Sequence, residues 1–275
     1  MPSFTHDDLC FRYRDEGCGL PFVLQHGLGG DLNQPFGLYR PAARVRLIAF
    51  DMRGHGETRP LGDVDKLTID TLADDLIALW DYLRIEQGVV GGISLGSAVA
   101  ANVALRYPER VLGLVLSRPA WIDRPVPENV DRYATIARLI RELGPKEGLE
   151  RFRTTPEFQA IERESPDCAR SLEGQFEHPR AEECVSRLER LAADTPCHDR
   201  ALYRNLRVPT LILGNHQDPI HPWALATSLR QLIPNSELRE ITPKSVSLDR
   251  HAADVQRAID DFLTRHFLQP EVIRC

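Results

Sequence analysis

The sequence predicts an α/β fold, a mostly parallel sheet covered by helices on both faces and interrupted by a helical insertion. Three observations lead there. Apolar strand-like runs alternate with stretches of helical periodicity through most of the 275 residues, the signature of βαβ units. One strand-to-helix junction carries Gly92-Ile93-Ser94-Leu95-Gly96, where glycines allow a turn that a Cβ would obstruct. From about Pro119 to Asn205 the strands stop, and amphipathic helical segments broken by Pro and Gly take over.

Taken in order, Leu9 to Arg14 alternates as a strand, and Pro21 to Gln25 is a second that runs into His26-Gly27. Val45 to Phe50 is a buried-looking strand ending at Asp51. A helix is predicted from about Thr68, because Ile69, Leu72, Leu76, Leu79, Trp80 and Leu83 recur at helical spacing. Asp70 in its first turn suits the helix dipole. The strand Val89-Val90-Gly91 leads into the Gly-x-Ser-x-Gly turn, and a small-residue helix from Ser97 to Tyr107 follows. Val111 to Leu116 is the next strand. Inside the insertion, Arg132 to Leu143, Ala181 to Leu191 and Asp199 to Leu206 are the clearest helices. Alternation resumes with strand Thr210 to Leu213, a helix near Ala224 to Leu232, strand Leu238 to Ile241 and a final helix from about His251 to Phe267. The tail Gln269 to Cys275 is expected to fray. Residues 1–118 and 206–275 thus form the core, and 119–205 a helical lid over the C-terminal edge of the sheet.

Composition narrows the function. A formal net charge of −6 argues against a nucleic-acid partner, since phosphate binding needs a basic face. No apolar run reaches membrane-spanning length, and Met1 to Asp8 shows no signal-peptide pattern. Cys10, Cys18, Cys168, Cys184, Cys197 and Cys275 are scattered, which suits neither a disulfide framework nor a zinc site. The expectation is a cytoplasmic protein acting on a small molecule, without membrane or nucleic-acid partners. A homodimer is left open as its assembly. His26, His55, His216 and His221 do not fall at metal-ligand spacing, so no metal or other cofactor is expected. His26 and His55 read as loop-shaping residues, and Asp51 and Arg53 as a structural strand-end turn.

The chemistry centres on Ser94. Serine is also an ordinary helix N-cap, but the two flanking glycines and the strand before it favour a nucleophile. A serine hydroxyl at its own pKa is a poor nucleophile. It needs a histidine to take its proton and a carboxylate to orient that histidine. Leu211-Ile212-Leu213-Gly214 runs into a loop carrying Asp218, which Pro219 helps to leave at the sheet edge. A turn-forming role for Asp218 is the simpler alternative. His251 stands after the last strand, where the final helix begins.

Gln25-His26-Gly27-Leu28-Gly29-Gly30, Asp51-Met52-Arg53-Gly54-His55-Gly56, Gly92 to Gly96 and Gly214 to Pro219 together resemble the α/β-hydrolase fold superfamily. Within it, the chain is most similar to lid-bearing enol-lactonases and small-ester hydrolases. The resemblance implies Ser94 as nucleophile, Asp218 as acid and His251 as base, with the backbone N–H groups of Leu28 and Leu95 as oxyanion hole. His266 lies too deep in the last helix for the base, and His221 too close to Asp218. One departure stands out: the family usually has Gly immediately before the catalytic histidine, where this chain has Arg250. Ser97 replaces a second glycine that often follows Gly96.

Substrate contacts are expected from Arg118, whose planar fork suits a carboxylate, and from Trp121, Asn33 and Gln34. Arg118 could equally tie the lid to the core. The expected activity is hydrolysis of a small carboxylic ester or lactone through an acyl-enzyme. Carbon–carbon or amide hydrolysis and acyl transfer on the same triad are the alternatives. Outside that class stand a ligand receptor that keeps the hydrolase pocket and a cofactor-free oxygenase or perhydrolase. A serine at the elbow speaks against dehalogenase and epoxide hydrolase chemistry, which in this fold uses aspartate there.

Overall fold

A computed structural model describes residues 1–125 and 127–268; the tail expected to fray lies outside them. Eight strands form one sheet: β1 (Ser3–His6), β2 (Leu9–Gly17), β3 (Leu20–Gln25), β4 (Val45–Phe50), β5 (Gly88–Ile93), β6 (Val111–Ser117), β7 (Thr210–Gly214) and β8 (Ser236–Glu240). They lie in the order β1-β2-β4-β3-β5-β6-β7-β8. β1 and β2 are antiparallel to their neighbours, and β4 through β8 run parallel. From β3 the chain moves to β4 on one side and then to β5 on the other. Such a reversal opens a crevice at the carboxyl ends of the strands, where α/β sheets bind ligands.

Helices α1 (Asn33–Leu38), α2 (Ile69–Tyr82) and α3 (Leu95–Arg106) fall between the early strands. Between β6 and β7 come α4 (Arg132–Arg153), α5 (Pro156–Glu164), α6 (Pro166–Glu177) and α7 (Ser186–Arg190), with no strand among the described residues. α8 (Trp223–Leu232) joins β7 to β8, and α9 (Leu248–His266) closes the chain. None of the described helices is long and apolar enough to cross a membrane.

The strands are buried on both faces because their side chains alternate between two apolar layers. Val23, Ile48, Val90, Leu116 and Ile212 pack with α2 and α3. Phe22, Leu47, Val89, Val115 and Leu211 face Phe36 of α1 and Val255, Ile259 and Phe262 of α9. α2 begins at its N-cap Thr68, whose hydroxyl accepts from the Thr71 N–H at 3.1 Å.

Three local differences from expectation have clear causes. α5 and α6 each start with proline at the first helical position, where the missing N–H costs nothing and the fixed φ fits. α4 runs on past Leu143 through a kink at Gly144, whose φ is 74°. α9 begins at Leu248, not near His251, because Ser247 caps it by accepting from the Arg250 N–H at 3.3 Å. The earlier start moves His251 out of the preceding loop and onto the buried helix face with Val255 and Ile259.

Candidate active site

The crevice collects the ends of β3, β5, β6 and β7, and each delivers one part of the site. β5 ends at Ile93, and Ser94 follows with φ 55° and ψ −113°. A non-glycine residue seldom adopts that conformation, so the turn is strained and held by its surroundings. Its geometry explains both glycines. A Cβ on Gly92 would lie 2.0 Å from the Gly96 carbonyl carbon, and one on Gly96 would lie 2.4 Å from the Gln25 carbonyl oxygen. The Ser94 N–H donates to the Ser117 carbonyl at 2.9 Å, which pins the turn to the end of β6. Ser97 is accommodated: its hydroxyl donates to the Ser94 carbonyl at 2.7 Å.

β3 is the direct neighbour of β5, with Gln25 opposite Gly92, so the loop His26-Gly27-Leu28 lies against the serine. A Cβ on Gly27 would come within 3.4 Å of the Ser94 Cβ. The loop is fixed by buried polar groups. His26 donates from Nδ1 to the Gly27 carbonyl at 2.9 Å and accepts at Nε2 from the Met52 N–H at 3.1 Å. The Gly27 N–H donates to the Gln34 Oε1 at 2.7 Å. Leu28 offers its carbonyl to Gln175 of α6 at 3.3 Å. Leu95 opens α3, so its N–H belongs to the turn whose donors have no partner inside the helix.

β7 leads into the loop of Asp218. Beyond Gly214 the chain bends through Asn215 to Pro222, and Asp218 is buried at 5% exposure. Its Oδ1 accepts from the His221 N–H at 3.1 Å and from His221 Nδ1 at 2.8 Å. Cys168 of α6 donates its thiol to the same oxygen at 3.2 Å. Oδ2 accepts from Arg118 Nε at 2.7 Å. On its other side, His221 Nε2 lies 2.9 Å from Ser94 Oγ. A hydrogen-bonded series therefore runs Asp218–His221–Ser94.

Electrostatics suit that series. Burial alone would raise the Asp218 pKa, but its contacts with His221 and the Arg118 guanidinium outweigh burial and hold it far below the usual carboxylate range. Burial lowers the His221 pKa, against an opposing pull from Asp218. The imidazole is thus neutral at pH 7. Because Asp218 is an acceptor, Nδ1 carries the proton, and the Nε2 lone pair faces the serine hydroxyl.

His251, the base expected from the sequence, takes no part in this series. Its Nδ1 donates to the Thr242 carbonyl at 2.8 Å, and its Nε2 has no hydrogen-bond partner among the described residues. Its place on the buried face of α9 explains the difference. His221 was set aside for standing three residues from Asp218, yet the bend between Pro219 and Pro222 turns its ring back onto that carboxylate. Two signals in the sequence pointed here: the prolines flanking the His221 loop, and Arg250 where glycine is usual.

The expected substrate contacts separate. Arg118 is committed through Nε to Asp218, while Arg118 and Gln34 also line a cavity of about 320 Å³ beside Ile93. Asn33 and Gln34 line a neighbouring cavity of about 550 Å³. Asn33 is exposed and bonds to Asp31. Trp121 is buried and borders a third cavity, about 640 Å³, shared with Asp123 and Arg200. The rings of His26 and His55 pack tilted at 57° with their centroids 4.9 Å apart, both made less basic by burial. Asp51 accepts from the N–H groups of Leu32 and Glu57, each at 2.8 Å. Arg53 pairs with Asp75 at 2.6 Å. These are structural roles, as expected.

The sequence pattern of the α/β hydrolase fold family matches residues 21–245. The chain belongs to that family and is an enzyme of the hydrolase class. It is 27% identical to a 2-hydroxymuconate semialdehyde hydrolase of Pseudomonas putida over 86% of this chain and 85% of that one. It is 29% identical to 3-oxoadipate enol-lactonase 2 of Acinetobacter baylyi over 80% of this chain and 79% of that one. A shorter match, 39% identical, spans 42% of this chain but 31% of the acetyltransferase component of an acetoin cleaving system from Pseudomonas putida. Among solved structures, a thermophilic esterase from Thermogutta terrifontis superposes with a TM-score of 0.72 at 27% identity, covering 94% of each chain.

Proposed function

We propose that this enzyme hydrolyses small carboxylic esters or lactones through an acyl-enzyme on Ser94, with His221 as base and Asp218 as its orienting acid. The observation that carries the reading is the placement of His221 Nε2 at 2.9 Å from Ser94 Oγ while Nδ1 lies 2.8 Å from Asp218. His221 takes the hydroxyl proton as Oγ attacks the carbonyl carbon. The oxyanion turns toward the N–H groups of Leu28 and Leu95, each such donor being worth about 2.7–4 kcal/mol in other enzymes. His221 then protonates the leaving alkoxide. Water, deprotonated by the same ring, attacks the acyl carbon, and the acid leaves as Ser94 recovers its proton. The helices between β6 and β7 act as the lid, since α6 reaches both Leu28 and Asp218. The scattered thiols accord with a reducing, cytoplasmic setting.

The test is hydrolysis of p-nitrophenyl esters and lactones at neutral pH by wild type and Ser94→Ala, with intact-mass detection of an acyl adduct. Turnover that vanishes in the variant, and an adduct confined to wild type, support the reading. Absence of both overturns it. 3-Oxoadipate enol-lactone and 2-hydroxymuconate semialdehyde belong in the panel because of the likeness to enzymes named for them.

A further inference from the structure

The 320 Å³ cavity beside Ile93 brings together charged and polar groups with bonding capacity that the acyl chemistry leaves over. Arg118, at the end of β6, and Lys244, in the loop after β8, both line it, with Gln34 and His251. Arg118 spends only its Nε on Asp218, and its two terminal nitrogens have no partner among the described residues. Lys244 is partly buried and has neither an ion pair nor a hydrogen bond among the described residues. Burial and the neighbouring Arg118 charge lower its pKa, while the carboxylates of Asp167 and Asp218, neither of them paired with it, pull the other way. Asp249 also borders the cavity but is exposed. Ile93, Leu38 and Leu248 supply the apolar walls.

His251 adds an independent sign of a ligand. It is 2% exposed, and its Nε2 is buried with no partner among the described residues. Its Nδ1–H is taken by the Thr242 carbonyl, so in the neutral ring Nε2 is an acceptor awaiting a donor. Buried polar atoms normally find partners. The cavity also adjoins the nucleophile: Ile93 precedes Ser94, and Gln34 holds the Gly27 N–H beside it.

We propose that this cavity is the subsite for a free carboxylate on the substrate, held between the guanidinium of Arg118 and the ammonium of Lys244. The preferred substrates are then half-esters of small dicarboxylic acids. A hydroxyl on the carbon next to that carboxylate supplies the donor missing at His251 Nε2, so hydroxylated half-esters bind better than plain ones. The inference rests on the acyl chemistry proposed at Ser94 and adds the substrate class.

The test compares monoethyl succinate with its neutral isostere ethyl 4-methylpentanoate by pH-stat, in wild type and Lys244→Met, with circular dichroism to confirm folding. Wild type is expected to favour the half-ester at least tenfold in kcat/KM. Lys244→Met should cut that preference by roughly 10- to 100-fold, the range for losing a charge-assisted hydrogen bond. Monoethyl malate should exceed monoethyl succinate in wild type, and His251→Phe should erase the difference. Equal rates on the charged and neutral esters, or a preference unmoved by Lys244→Met, overturn the subsite. If wild type cleaves neither ester, the acyl reading fails separately. Calorimetric titration of succinate into Ser94→Ala, with and without Lys244→Met, then decides the subsite alone. Binding weakened tenfold or more by Lys244→Met supports it, and absent or unaltered binding refutes it.

Discussion

His221 Nε2 lies 2.9 Å from Ser94 Oγ across 127 residues of chain. The same ring reaches Asp218, three residues before it, at 2.8 Å. The proposed base and its orienting acid thus come from one bend after β7, and only the proposed nucleophile comes from elsewhere. One short segment fixes both the tautomer and the direction of the imidazole, because Asp218 Oδ1 accepts from the backbone N–H and the ring of the same residue.

That arrangement predicts which histidine catalysis depends on. His221→Ala should lower kcat on the best ester by about 10⁴- to 10⁶-fold, as loss of a triad histidine does in other serine hydrolases. His251→Ala should retain at least 100-fold more activity than His221→Ala. Steady-state kinetics of the two purified variants decide it. The opposite ranking would return the base to His251.

Arg118 is predicted to matter through Asp218. Its side chain is 9% exposed and that of Asp218 is 3% exposed, so Arg118→Gln leaves a buried carboxylate short of one charged partner. Breaking a buried pair typically costs about 3–5 kcal/mol, and His221 softens the loss here. Urea denaturation should show a clear drop in midpoint, larger than for Arg138→Gln. Arg138 pairs with Glu142 at 3.2 Å on the surface, where such contacts are worth about 0–1 kcal/mol. Equal effects would contradict this account.

Much of this was legible in the sequence, for physical reasons. Strands such as Thr210–Gly214 are buried on both faces, and such strands read as unbroken apolar runs. The elbow declared itself because its turn tolerates so few residues. β1 did not, since within Ser3–His6 only Phe4 is buried. α1 is short and built on Asn33-Gln34-Pro35, which carries turn chemistry rather than helical periodicity. The structure sets His221, and not His251, against Ser94 for two reasons. Ser247 extends α9 by three residues toward its start, and that shift turns His251 away from the loop. The bend at Pro219 and Pro222 is tertiary geometry, which spacing along the chain does not encode.

Acid should remove activity and stability together, from the same groups. Burial lowers the pKa values of His26, His55 and His221, and that of His251 to about 4. Below the unfolded histidine value of about 6.5, the unfolded chain binds protons that the folded chain refuses. Stability is therefore full above that pH and falls as pH drops below it. Asp218 works in the same direction at lower pH, because its folded pKa is also depressed. kcat/KM should stay level through neutrality and fall only below the ordinary histidine pKa, where His221 gains its proton. Thermal melts and rates measured from pH 8 to pH 5 check both. A rate loss centred at or above pH 7 would show that His221 is not the neutral base.

The elbow and helix α6 give opposite predictions for the same glycine-to-alanine change. A Cβ on Gly92 would meet the Gly96 carbonyl carbon at 2.0 Å, and the atoms it strikes are backbone of the nucleophile turn. Neither side can yield without moving Ser94, whose φ of 55° depends on that close approach. Gly92→Ala should therefore fail to accumulate as folded protein, or should fold with Ser94 displaced and activity lost. Gly174 lies within α6, and a Cβ there would meet nothing within 4 Å. Alanine at that position removes the backbone entropy penalty of glycine and should stabilise the protein by roughly 0.5–1 kcal/mol. Differential scanning calorimetry of the two variants, with p-nitrophenyl ester turnover as the second readout, separates the cases. A folded, active Gly92→Ala enzyme would mean that the strand and helix do not meet as closely as the elbow requires.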